Sequence, residues 1–294
     1  MLGGREMDLS YLAQVIINGV LIGGLYALIA IGLSLIWGVM EIVNFAHGDY
    51  LMAAAFFSYI FWSYAGLDPL ISLPLIIIIF LSIGFGTQKF IMRRLMDSPT
   101  LITIAATFAL SLIIRYGFFI VFKPDYRVIR DPLLQGSLHI SSISIPIAKI
   151  VTLLVALVTI ILLFLFLKYT KKGKAIRATA QDREVAKSLG VNVEQIFLIT
   201  WGLGIACVGI AGTMLSTFYY VFPLMGVTFV LIAFASVTLG GFGSVHGAVF
   251  GGLVIGLIQQ LGGAFVSPAL KDVFVFAVFI LVLMFKPKGF FGKY

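Results

Sequence analysis

The chain has 294 residues, of which 61% are hydrophobic and only 11% charged, with a net charge of +8 and a mean hydropathy of +1.13. Soluble domains are roughly half apolar and about one quarter charged, so 20 basic and 12 acidic side chains are too few to solvate a 32.0 kDa body. This excludes a soluble globular enzyme, a disordered chain and a nucleic-acid binder, and points to an all-α polytopic bundle in a lipid membrane.

A transmembrane helix needs about 20 mostly apolar residues. Hydrophobic runs between charges and breakers mark nine candidate spans: 11–37, 49–65, 70–91, 100–122, 147–168, 195–219, 224–240, 247–266 and 271–286. Several are short or rich in glycine, which sets the expectation at about eight to ten helices with broken or re-entrant segments. The connections are too short for a soluble domain, so residues 1–294 read as a single transmembrane domain. The first ten residues, with Arg5, Glu6 and Asp8, read as a short polar tail. The run Tyr11–Trp37 exceeds the apolar core of an export signal, roughly 7–15 residues, and is expected to be the first span.

Between the first two spans, Trp37–Asp49 holds Glu41, Asn44, His47 and Asp49. A lipid-facing helix does not tolerate that density of polar groups. Two readings remain: a plain polar turn at the membrane surface, or a broken helix lining a protein cavity. The absence of Lys and Arg from this segment favours the broken helix, whose free N–H and C=O groups suit the charged ends of a zwitterionic solute. Asn44, Phe45, His47, Gly48 and Asp49 are therefore candidates for the translocation path. Further on, Arg115 lies several residues inside its span, where it snorkels or pairs.

Residues 123–146 form a loop in which Lys123, Arg127 and Arg130 are offset by Asp125 and Asp131. The alternation Leu138/Ile140 and Ile143/Ile145 predicts a small hairpin, and His139 reads as solvated. Residues 169–194 form a basic connector, read as one or two short helices with Ala178, Val185 and Leu189 on a shared apolar face. Asp182 is placed to cap a turn, Gly190 to stop a helix, and Asn192 with Gln195 to open the next span as a capping box. Such an element either docks something in the cytosol or is a solvated loop obeying topology alone.

Cys207, the single cysteine, sits in an apolar run and reads as a small buried side chain, which leaves no disulfide framework or thiolate cluster. His47 and His246 lack a third ligand at metal-binding spacing. The segment Leu239–Gly252 has six glycines in fourteen residues, Gly240, Gly241, Gly243 and Gly247 among them, with Ser244. It serves tight helix packing or contributes to a gated path. It is not a phosphate loop, since Gly-x-x-x-x-Gly-Lys-Ser/Thr occurs nowhere in the chain. No cofactor or metal is expected, and ATP hydrolysis would come from another polypeptide.

Two wider patterns follow. Leu28-Ile29-Ala30, Gly38 and His47-Gly48 echo in Leu231-Ile232-Ala233, Gly241 and His246-Gly247, each joining a hydrophobic helix to the next through a polar, glycine-containing break. Paired interruptions of this kind point to a substrate path. Thirteen of the 20 basic residues fall in three regions: Lys89, Arg93 and Arg94; Lys168, Lys171, Lys172, Lys174, Arg177, Arg183 and Lys187; and Lys286, Lys288 and Lys293. With nine spans all three lie on one side, which the positive-inside rule makes the cytoplasm, putting the N-terminus outside and the C-terminus inside a cell membrane.

The runs Gly24–Leu33, Asn44-Phe45-Ala46-His47-Gly48, Gly173–Glu184 and Leu239–Ser244 with Gly247-Ala248 resemble the membrane subunit of ABC importers for branched-chain amino acids, the LivH-like half of the LivH/LivM pair. The resemblance covers residues ~20 to 255 in order and spacing, and Asn44–Gly48 and Ala180-Gln181-Asp182 are its most specific parts. Glu184-Val185-Ala186 with Gly190 also resembles the loop that importer permeases insert into their ATPases, although Val185 departs from that pattern. The resemblance implies a LivM-like sister subunit, two cytoplasmic ATPases and an external solute-binding protein. It makes Gly173, Arg177, Gln181, Asp182, Arg183, Glu184, Ala186 and Gly190 the coupling element. A related permease for urea, short amides or sugars and, in a different class, an ion-coupled carrier are the alternatives. A membrane enzyme lacks a polar constellation to support it.

Overall fold

The computed structural model describes residues 9–130, 132–140 and 142–292. Arg5, Glu6 and Asp8 of the expected polar tail, Asp131 and Lys293 lie outside them, whereas Leu9 and Ser10 already belong to the first helix. Nine principal helices overlie the nine expected spans: α1 (Leu9–Met40), α2 (His47–Ala65), α3 (Pro69–Phe90), α4 (Thr100–Phe122), α5 (Ile147–Tyr169), α8 (Val193–Leu215), α9 (Met225–Gly240), α10 (Val245–Phe265) and α11 (Lys271–Phe285). Two short helices, α6 (Lys171–Gln181) and α7 (Arg183–Ser188), make up the connector between α5 and α8. Among the described residues, seven helices are long and apolar enough to cross a bilayer. The other two principal helices are α2, which opens on His-Gly-Asp, and α9, which has only 16 residues. These two adjoin the predicted breaks.

Helices α1 and α8 form the centre. Both are apolar all round, as a helix surrounded by protein must be, and nearly every residue of α1 from Leu21 onward is buried. The rim helices turn Ile113 and Ile120 of α4, and Leu283 and Met284 of α11, outward. Contact with lipid makes those faces stable without a polar coat.

Close approach of the central helices depends on small residues. Gly19 of α1 meets Leu257 of α10, Gly23 meets Leu253, and Gly38 meets Gly243, so α1 and α10 run antiparallel. A Cβ at Gly84 of α3 would sit 2.8 Å from the Cα of Gly202 on α8. Such backbone contacts replace the hydrophobic driving force that lipid does not supply between helices.

The predicted hairpin forms from β1 (Ser137–Ile140) and β2 (Ile143–Pro146), antiparallel, with Leu138 opposite Ile145. It is fastened to the start of α1: the Ser144 N–H donates to Gln14 Oε1 at 2.7 Å and Gln14 Nε2 donates to the Ser144 carbonyl at 2.9 Å. The hairpin therefore lies at the end of the bundle where α1 begins. The connector lies at the end where α1 stops, facing Gly38–Ile42.

Candidate functional site

Helix α1 ends at Met40, and Glu41 turns the chain with a φ of 57°. The chain then doubles back. His47, the first residue of α2, places its Nε2 3.0 Å from the Ile29 carbonyl, three turns before the end of α1 and about 16 Å back along its axis. From exposed Glu41 the segment 41–46 thus runs inward, with Ile42, Asn44 and Ala46 buried. Exposed backbone groups are not tolerated there, and they are satisfied locally. Asn44 Oδ1 accepts the Ala46 N–H at 3.1 Å, and Thr107 on α4 donates to the Val43 carbonyl at 2.8 Å. Asn44, His47, Gly48 and Asp49 are fully buried. Gly48 abuts Gly226 and Val230, so α9 also begins within the bundle, beside the start of α2.

Asp49 lies in the first turn of α2, where the helix dipole favours a carboxylate. Arg115 of α4 grips it with both arms of its fork, Nε to Oδ1 at 2.9 Å and Nη2 to Oδ2 at 3.0 Å. Ser111 Oγ donates to Oδ2 at 2.6 Å and accepts from Arg115 Nη2 at 2.9 Å. Of the two readings open for Arg115, pairing is the one the structure adopts. Sequence reasoning missed its partner and missed the pattern behind it: Thr103, Thr107, Ser111 and Arg115 recur every four residues, a polar stripe on one face of an apolar helix. The first three are buried.

The second break has a different position. Gly241 and Gly243 hold φ values of 104° and 75°, conformations that favour glycine. Ser244 caps α10 by accepting the Gly247 N–H at 3.1 Å, and the backbones of Gly240 and Gly247 touch. Gly243 packs on Gly38, and the rings of Phe242 and Trp37 lie 5.1 Å apart. The second break therefore sits at the end of α1, whereas Phe45–Asp49 lies deep in the bundle, and the two are not one site. A feature absent from the sequence reading completes it: the Phe290 and Phe291 N–H groups cap the Leu239 and Gly240 carbonyls, each at 2.9 Å. His246 stacks on Phe164, and Cys207 is buried.

In the connector, Thr170 caps α6 by accepting the Gly173 N–H at 2.9 Å, and Asp182 Oδ1 caps α7 by accepting the N–H groups of Glu184 and Val185, both at 2.9 Å. Gly190 ends the element at φ 82°. Asn192 caps α8 as expected, accepting the Gln195 N–H at 3.0 Å, while the Gln195 side chain instead accepts from Lys172 at 2.6 Å. Of the three residues expected on a shared apolar face, Ala178 is half-buried. Val185 and Leu189 are exposed, and the inward residues are Gly173, Ile176, Thr179 and Ala186. Asp182 is extended, with φ −158°, which interrupts the helix and resets its phase.

Arg177, Gln181, Asp182, Glu184 and Gly190 face outward. Arg183 bonds Asp97 at 3.2 Å and lies 5.2 Å from the Phe197 ring centre. Arg93 pairs with Glu194 at 2.6 Å. Exposed pairs contribute only about 0–1 kcal/mol each, so they orient the connector more than they stabilise it. Two clefts flank it. One of about 700 Å³ runs from Gln88 and Arg93 to Arg183 and Glu194. The other, about 360 Å³, has Glu41 and Ile42, Thr100 and Thr103, and Gln181 and Asp182 on its walls. Among the described residues no three His, Cys, Asp or Glu side chains gather as a metal site.

Comparison with known proteins gives this geometry a family. Residues 15–283 match the family described as branched-chain amino acid transport system / permease component. The chain is 32% identical, over 96% of both chains, to the high-affinity branched-chain amino acid transport system permease protein LivH of Salmonella typhimurium. It is 31% identical over 96% of both to the protein of that name in Escherichia coli, and 30% identical over 97% of both to BraD of Pseudomonas aeruginosa. No solved structure matches it significantly. With seven bilayer-length apolar helices and this likeness along its whole length, the chain is a multi-pass membrane protein that belongs to the branched-chain amino acid transport permease family.

Proposed function

We propose that this chain is the membrane-spanning subunit of an ATP-binding-cassette importer that carries Leu, Ile or Val into the cell. A LivM-like sister subunit completes the pathway, an external solute-binding protein delivers the cargo, and two cytoplasmic ATPases supply the work. The hairpin end of the bundle faces outside with the N-terminus, and the α6–α7 end with the C-terminus faces the cytoplasm, where Lys and Arg concentrate.

One observation carries this reading. The connector presents Arg177 and Glu184 outward, while its Gln181 and Asp182 wall the same cleft as Glu41 and Ile42 of the broken helix. An ATPase gripping the outer face therefore pushes on the segment that leads to Asn44–Asp49, and on the glycine break Gly240–Gly247 through Gly38. ATP-driven closure of the two ATPases then shifts the bundle between inward-open and outward-open states. Asn44, Phe45, His47, Gly48 and Asp49 line the path, and Gly240, Gly241, Gly243, Ser244 and Gly247 form the hinge beside it.

Replacing Arg183 and Glu184 by Ala tests the coupling. We expect leucine uptake to fall at least about tenfold, with the ATPases lost on purification, as happens when central contacts of an interface are truncated. Unchanged uptake and unchanged assembly would remove the coupling role.

A further inference from the structure

We propose that the Asp49–Arg115 pair is an amino-acid-operated plug: the α-carboxylate of the solute takes the guanidinium, its α-ammonium takes the carboxylate, and the pair opens only in that exchange. The proposal rests on the permease reading above and adds to it the chemistry by which the membrane subunit recognises its cargo.

Three observations support it. First, the pair lies at the far end of a polar stripe that starts at a cleft. The cleft walled by Glu41 and Thr103 opens at the connector end, and the stripe Thr103, Thr107, Ser111, Arg115 climbs α4 from there, one residue per turn. Thr107 holds the broken segment through Val43, and Ser111 and Arg115 hold Asp49. A stripe of polar side chains turned inward on an otherwise apolar span marks a solute or ion route.

Second, the chemistry is complementary. Asp49 is fully buried and the Arg115 side chain is 15% exposed, so separating them without replacement leaves two uncompensated charges. A zwitterion restores both, and the guanidinium fork fits a carboxylate with two parallel bonds. A single cation or anion rescues one partner and strands the other. Urea, a short amide or a sugar brings no charge for either. The plug therefore admits amino acids and resists ion leakage.

Third, three aromatic side chains cluster within a turn of it. Phe45, one turn before Asp49, lies 6.3 Å from Phe108 and 5.3 Å from Phe234 by ring centres. Phe108, 51% exposed, lies one turn before Ser111 on α4, so a branched aliphatic side chain of the solute would meet aromatic rings within a turn of the charged pair.

The test is leucine uptake by cells carrying each variant as their sole copy, with its amount in the membrane measured alongside. Asp49→Asn combined with Arg115→Gln keeps a neutral hydrogen-bonded pair. We expect uptake to fall at least about tenfold at normal membrane abundance, with Arg115→Lys less affected. Uptake within about twofold of the parent in the double variant would overturn the proposal, because the charges would then merely pin α2 to α4.

A second measurement keeps both charged side chains and changes only the hydroxyl between them. In a Cys207→Ala background, Ser111→Cys is reacted with a positively charged methanethiosulfonate reagent during ATP-driven turnover. We expect labelling during turnover that saturating leucine slows. Labelling that never occurs, or that leucine leaves unchanged, would overturn the proposal. Absence of ATP-dependent uptake in the parent protein would overturn it together with the permease reading, which keeps the two failures distinct.

Discussion

At the scale of single residues, the chain places unlike demands on chemically similar positions. Gly48 touches the backbone of Gly226 and the side chain of Val230, whereas Gly117 of α4 has nothing within 4 Å of where a Cβ would sit. Gly48→Ala should destabilise the protein by about 1–3 kcal/mol through overpacking. Gly117→Ala should be neutral or stabilise it by up to about 1 kcal/mol through helix propensity. Thermal unfolding in detergent separates the two, and equal midpoints would contradict the packing described here. Much at this scale was legible in the sequence. Asp182, Gly190 and Asn192 act where local rules put them, because capping depends on neighbours two or three residues away. Arg115 was not legible in the same way. Its partner lies 66 residues distant, and finding it required the rotation of α4 about its axis. The four-residue spacing Thr103–Thr107–Ser111–Arg115 contained that rotation in plain sequence.

At the scale of elements, hydropathy located all nine principal helices, since a run of apolar residues bounded by charges has little alternative in a membrane. Hydropathy does not show depth. The His47–Ile29 contact places the start of α2 three turns back from the end of α1, a consequence of tertiary packing that Asn44 and Thr107 secure. The connector shows the opposite failure. Continuous helical periodicity put Ala178, Val185 and Leu189 on one face, and one extended residue, Asp182, divides the helices that carry them, leaving Val185 and Leu189 exposed. That residue is also the cap of α7. Asp182→Ala should cost about 1 kcal/mol of cap energy and let α7 fray, measured as faster amide exchange across 183–189 with α5 unchanged. Unaltered exchange would mean that packing of Ala186, rather than the cap, holds α7 in place.

At the scale of the whole molecule, the hairpin and the connector occupy opposite ends of the bundle, and the proposed orientation assigns each a compartment. In a Cys207→Ala background, His139→Cys should react with an impermeant maleimide in intact cells, and Ser188→Cys should react only after the membrane is opened. The reverse pattern would invert the protein and separate the connector from any cytoplasmic ATPase. On the proposed function this subunit is a passive passage whose two breaks are moved from outside itself. The most direct measurement is leucine accumulation in vesicles that contain this chain, its sister subunit and the binding protein, with and without the ATPases. The account predicts uphill accumulation only when the ATPases and ATP are present, and none from a proton or sodium gradient. Uphill accumulation by this chain on an ion gradient alone would contradict it.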